Sequence, residues 1–231
     1  MSAPAPLLFL AAEPRELTHW IAHWTDLRPL SLPVHWSRAG NWNGRPVLAI
    51  ANGAGPARAR AAVEAAAPVS AVCNIGFCGA LDSSLHPGDV FIATEVRNGA
   101  SASAAKRPAG PPARSGPLAS IDHIARTARE KRELRSAGAL VVEMEAAGAA
   151  RAAAALNVPF YCVRAVSDLA GEDLHNDFNA ALRPDGRFSL PRILAGACAS
   201  PLQRFRELIV LKQRTDLAAK NLGDFLANCT F

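Results

Sequence analysis

Residues 139–168 read A-L-V-V-E-M-E-A-A-G-A-A-R-A-A-A-A-L-N-V-P-F-Y-C-V-R-A-V-S-D. Ala139–Val142 is a short apolar run of the kind found in buried strands, and Val158–Val166 is a second. Between them, Glu145–Leu156 is an alanine-rich stretch that predicts a helix. Strand, crossover helix and strand predict a parallel βαβ unit. Acids follow both strands, Glu143 and Glu145 after the first and Asp168 after the second. In open α/β sheets ligands bind at the carboxyl ends of the strands, so three carboxylates are expected in one crevice. The competing reading makes Glu145 a first-turn acid favoured by the helix dipole, and Asp168 the cap of a following turn.

The pair V-E-M-E-A-A (142–147) and V-R-A-V-S-D (163–168) resembles the signature of the nucleoside phosphorylase and nucleosidase superfamily. The resemblance implies an α/β fold with a central mixed, mostly parallel sheet flanked by helices. It implies that Glu145 grips the ribose hydroxyls, that Asp168 protonates the purine leaving group at N7, and that Met144 lies against the sugar. The chemistry agrees, since an oxocarbenium-like sugar gains from a nearby carboxylate while the departing base needs a proton.

At 231 residues, half of them hydrophobic, the chain is expected to form a single domain over 1–231. The formal charge of +5 is dispersed and aromatics make up only 6%, which favours a solvated basic surface over a nucleic-acid partner. The five cysteines, Cys73, Cys78, Cys162, Cys198 and Cys229, are widely spaced and form no CxxC pair. They predict reduced thiols in a cytoplasmic protein with no metal site. Leu7–Ala12 imitates a signal-peptide core, but no Lys or Arg precedes it and Glu13 follows at once, so it is read as the first strand. No run approaches the ~18 apolar residues of a membrane helix.

Pro14 suits the first turn of a helix through Trp20 and Trp24, which puts Glu13 at a strand's carboxyl end. In the nucleosidase branch an A-x-E after the first strand supplies the base that activates water, and A-A-E at 11–13 is similar. The alternative is a simple helix-start acid. Val34–Ala39 and Arg45–Asn52 flank N-W-N-G, a hairpin signal, and Gly53-Ala54-Gly55-Pro56 then opens a helix to Ala67. Such a turn brings backbone N–H groups close to an anion or a sugar, although an ordinary tight turn reads the same way.

Ala71–Ala80, with its G-F-C-G-A ending, and P-G-D-V at 87–90 resemble the family's next two strands. Phosphorylases carry Arg before the first glycine and Ser or Thr after it, both reaching phosphate; this chain has Asn74 and Phe77, neither of which supplies charge. Phe77 is then a wall for base or sugar, or core. Arg97–Pro117 is rich in Ala, Ser, Gly and Pro and predicts a flexible loop. Leu118–Ile124 reads as a short strand, Asp122–Arg135 as an exposed amphipathic helix whose charge run is a solvated face, and 200–228 as a long C-terminal helix. The E-K-R-x-L spacing before E-M-E and the later L-R-P-D-G-R resemble the hopanoid-associated branch of the family, which implies an adenosyl-hopane-type substrate.

The candidate catalytic residues are therefore Asp168, Glu13 and Glu145. Met144, Glu143, Ser167, Arg164, Phe77, Cys78, Gly79 and Gly53 are the candidate substrate contacts. The reaction expected is hydrolysis of a purine nucleoside to free base, with no cofactor, by a homo-oligomer. Phosphorolysis, with phosphate as co-substrate, and a non-catalytic purine-nucleoside binding protein are the alternatives.

Overall fold

A computed structural model describes residues 4–198 and 201–231. Strand β1 (Leu7–Ala11) is fully buried, and it leads through a 3-10 turn at Pro14–Glu16 into the short helix α1 (Thr18–Ile21). Strands β2 (Thr25–Pro29), β3 (Trp36–Trp42) and β4 (Arg45–Ala51) follow as an antiparallel meander. The β3–β4 connection is the predicted hairpin, with Asn43 at φ 50° and Gly44 at φ 80°, the left-handed pair a tight two-residue turn requires. Helix α2 (Pro56–Ala66) starts with proline in its first turn and returns the chain to β5 (Ala71–Ala80).

Three elements follow that the sequence reading describes differently. In place of a flexible loop over 97–117 lie the end of β6 (Val90–Asn98), its hairpin partner β7 (Ser101–Ala104) and the first part of β8 (Arg114–Ser120). Even the stretch between β7 and β8 is tied down, by bridges from Lys106 to Tyr161 and from Ala109 to Thr230. Small residues fit there because the neighbouring elements supply the packing. Helix α3 (Ala128–Ser136) starts later than expected. The Asn179 side chain takes both the N–H and the C=O of Ile124, which holds 122–127 out of the helix, and Thr127 caps it by accepting from Glu130 N–H.

The third difference is the direction of β9 (Val141–Glu143), which α4 (Ala146–Ala155) joins to β10 (Phe160–Asp168). The three do not make a parallel βαβ unit: β9 pairs antiparallel with β5, whereas β10 pairs parallel with it along the opposite edge. Strand β5 is thus the seam of the molecule. Its first half pairs with β1 at Ala71–Asn74, and its end pairs with β9 at Gly79 and Ala80. Strands β5, β10, β6, β8 and β9 close into a ring, from which β1, β4, β3 and β2 extend as an open leaf.

Helices α5 (Phe178–Ala181), α6 (Leu190–Ala197) and α7 (Pro201–Ala227) complete the chain. Ser200, where the expected C-terminal helix begins, lies outside the described residues. Helix α7 packs on α1, β5 and β10, and Phe231 beyond it joins Phe9, Trp42 and Tyr161 in an aromatic cluster. No helix among the described residues is long and apolar enough to cross a membrane.

Helices α2 and α4 meet through small residues, and at their closest approach an added Cβ on Gly148 would lie 1.9 Å from the Pro56 carbonyl oxygen. Two helix backbones must separate to admit a methyl group, so Gly148→Ala is expected to destabilise the protein by about 2–3 kcal/mol. Urea unfolding measures it, and a loss under about 0.5 kcal/mol would show that the contact is slack.

Candidate active site

Where β5 exchanges β1 for β9, residues 75–78 have no strand on that edge, and a crevice of about 690 Å³ opens there. The 3-10 turn after β1 drops Glu16 into the gap. Its Oε1 accepts from Phe77 N–H at 2.9 Å, which satisfies an amide the ladder leaves free, and Oε2 accepts from Glu13 N–H at 2.7 Å. Gly76 makes room: a Cβ there would sit 2.5 Å from Glu16 Oε1 and 2.7 Å from Arg164 Nη1. Burial raises the pKa of Glu16, and nearby Glu13 adds to the shift, against the lowering effect of the two N–H bonds. Glu13 lines the mouth of the crevice, where its carboxylate pairs with Arg15 at 2.5 Å. The sequence reading missed Glu16; its signal is the E-P-R-E spacing, a capping box that sends one acid outward and the other in.

From the other side come the ends of β9 and β10. Because β9 is antiparallel to β5 and pairs only with Gly79 and Ala80, Glu143 ends near the carboxyl end of β5, and the carboxylates reach one crevice through a different topology from the one expected. Glu143 is buried and fully engaged: it accepts from Glu145 N–H and Ala146 N–H, the first turn of α4, and is ion-paired to Arg164 Nη2. Arg164 is likewise buried, donating to Asn74 Oδ1 and to the Ile75 carbonyl, and it lies behind the crevice wall. Glu145 Oε1 accepts from Gly55 N–H at 3.2 Å, and Oε2 is 3.7 Å from Arg164 Nη1. Burial, reinforced by the charge of Glu143 and opposed by Arg164, pushes the Glu145 pKa up to about 8.

Asp168 faces Gly79, whose lack of a side chain admits it: a Cβ there would meet Asp168 Oδ2 at 2.8 Å. Ser167 Oγ donates to Asp168 Oδ1 at 2.8 Å, and Lys131 Nζ, from α3, donates to Oδ2 at 2.5 Å. Lys131 has no exposed surface, so the charge run of α3 is not wholly a solvated face. Of the candidate substrate contacts, Met144, Glu143, Phe77, Cys78, Gly79 and Ser167 line the crevice.

Gly53 and Arg164 do not. Gly53 stands at φ 86°, where an added Cβ would lie 2.7 Å from the Asp185 carbonyl oxygen, and the turn's three amides are taken: Gly53 donates to the Ala12 carbonyl, Ala54 to the Gly186 carbonyl and Gly55 to Glu145. The crevice is also lined by Phe178, Phe188, Leu190, Leu194, Phe205 and Ile209, a largely apolar arm to which α7 adds Lys212 and Thr215. Among the described residues no cluster of three or more His, Cys, Asp or Glu is placed to hold a metal.

The profile of the Phosphorylase superfamily matches residues 37–112 and 95–185 of this chain. The 5'-methylthioadenosine/S-adenosylhomocysteine nucleosidase of Staphylococcus aureus strain COL is 32% identical over 141 residues, which cover 48% of this chain and 62% of the relative. The match thus spans under two thirds of that relative's length. Among solved structures, the 5'-methylthioadenosine/S-adenosylhomocysteine nucleosidase of Neisseria meningitidis superimposes with a TM-score of 0.74 at 19% identity, covering 96% of this chain and 97% of that one. A futalosine hydrolase mutant of Helicobacter pylori gives 0.73 at 16% identity, with 96% of each chain covered. These likenesses match the ring and leaf described above, and with the profile covering most of the chain, this protein belongs to the phosphorylase superfamily.

Proposed function

We propose that this protein hydrolyses the N-glycosidic bond of a purine nucleoside and releases adenine. The observation that carries this reading is the meeting of Glu16, Glu145 and Asp168 at the gap in β5. Asp168 delivers a proton to N7 of the departing base, Glu145 holds the ribose hydroxyls beside the developing positive charge, and Glu16 takes a proton from the attacking water. Glu16 is assigned this last role in place of Glu13, whose carboxylate is turned to Arg15. The names of the nucleosidase relatives agree with this chemistry.

Water is favoured over phosphate for an electrostatic reason. A phosphorylase must neutralise a dianion beside the anomeric carbon. Here Arg164 is sunk behind Glu143 and Glu145, and the amides of residues 53–55 are already donated within the protein. The apolar arm supports a substrate whose 5′ substituent is apolar and larger than a hydroxyl, since each buried methylene is worth about 0.8 kcal/mol.

Glu16→Gln is expected to lower turnover about 100-fold or more, with Glu13→Gln within a few-fold of the parent. The reverse order in a base-release assay would return the role to Glu13. Glu16 must be ionised to act, and its pKa is raised, so activity should rise with pH along a limb lying above the usual carboxylate range. That limb should vanish in Glu16→Gln. Adenine should appear with free sugar in phosphate-free buffer; a strict need for phosphate would replace hydrolysis by phosphorolysis. Across 5′-methylthio-, butylthio- and octylthioadenosine, kcat/KM should climb several-fold per two methylenes. A flat series would mean that the arm is not a substituent site.

A further inference from the structure

Resting on the nucleosidase reading, we propose that Lys131 is the positioning residue for Asp168 and the store of the proton that reaches the purine. Burying a lysine is costly unless its charge is matched, and Lys131 has no exposed surface. Its Nζ has three acceptors: Asp168 Oδ2 at 2.5 Å, the Leu169 carbonyl at 2.8 Å and the Glu172 carbonyl at 3.5 Å. These acceptors account for its three N–H groups and leave it one rotational position.

The other charges facing the pair are committed elsewhere. The Glu172 carboxylate is held by Arg214 of α7 through two bonds of 2.6 and 3.0 Å, so it gives Lys131 only its carbonyl. Among the described residues Asp168 is therefore the carboxylate partner of Lys131, and it also lines the crevice, where the nucleosidase reading gives it the leaving base. A carboxylate alone would repel the N7 lone pair. A carboxylate beside an ammonium carries the needed proton one bond away.

The transfer is balanced in two steps. A proton leaves Nζ, whose electron pair stays on the amine, and forms an O–H bond at Asp168 Oδ2. That O–H bond then breaks as N7–H forms and the glycosidic electrons pass into the base. Lys131 is left as a neutral amine, which regains through Asp168, once the products leave the crevice, a proton equal to the one the attacking water gives up to Glu16. Asp168 alone touches the base; Lys131 acts through it.

A double-mutant cycle on purified protein tests this, with 5′-methylthio-, butylthio- and octylthioadenosine as probes and circular dichroism as a check on folding. Lys131→Met is expected to lower kcat about 100-fold with KM within about three-fold, the scale of losing a general acid. In the Asp168→Asn background the same change should add less than two-fold, because the residue through which Lys131 works is already gone. Lys131→Arg should recover part of kcat. Near-parental kcat in folded Lys131→Met, or losses that multiply in the double variant, would overturn the proposal. Should Lys131→Met not fold, the cycle is run with Lys131→Arg, where a loss that multiplies with Asp168→Asn is again the overturning result. A parent protein that releases no base from any probe would overturn the nucleosidase reading along with it.

Discussion

The change of partner along β5 is the constraint on which the rest depends. A strand in a continuous sheet spends its amides on its neighbours and has no room for side chains at its edge. By leaving β1 at Asn74 and taking up β9 only at Gly79, β5 frees the Phe77 amide and opens a slot at backbone level. The price is that Gly76 and Gly79 must remain glycine, since carboxylates occupy the space of both side chains. The ring and the open leaf are two consequences of the same break.

Around that slot the charges are layered. Innermost lies Arg164, buried and clasped by Glu143, with Asn74 and Glu145 in reach. This cluster serves orientation: Glu143 binds the first turn of α4 and Arg164 at once, which fixes the helix start from which Glu145 projects. The outer layer, Glu16, Glu145 and Asp168, lines the crevice. Each of these acids has a different companion: backbone amides for Glu16, a glycine amide and a distant guanidinium for Glu145, an ammonium for Asp168. Different companions put one kind of side chain into three different electrostatic settings within a single cavity.

Much of this was legible in the sequence. The buried strands, the Asn43–Gly44 hairpin, and the placing of Glu143, Glu145 and Asp168 at one crevice are read from apolar runs, turn chemistry and a motif resemblance, all of which are local. What was hidden depends on partners distant in the chain. The direction of β9 is decided by which edge of β5 accepts it, and three residues carry too little pattern to show that. Glu13 and Glu16 are equivalent acids until the turn after β1 folds against Phe77. Lys131 sits in a run of charges whose helical face is set by Asp168, 37 residues away. The 97–117 segment looks like a linker because its small residues bring little core of their own; β10 and the chain beyond α7 supply it.

Helix α7 reaches from the apolar arm, at Phe205 and Ile209, to the aromatic cluster around Phe231, where Arg45 also donates to the Phe231 carbonyl. Its 27 residues make a rod of about 40 Å at 1.5 Å per residue. The rod is pinned along its length, by Glu207 accepting from the amides of His175 and Asn176, by Arg214 gripping Glu172 and by the cluster beyond its end, so the wall it gives the arm is carried by contacts at both ends of the molecule.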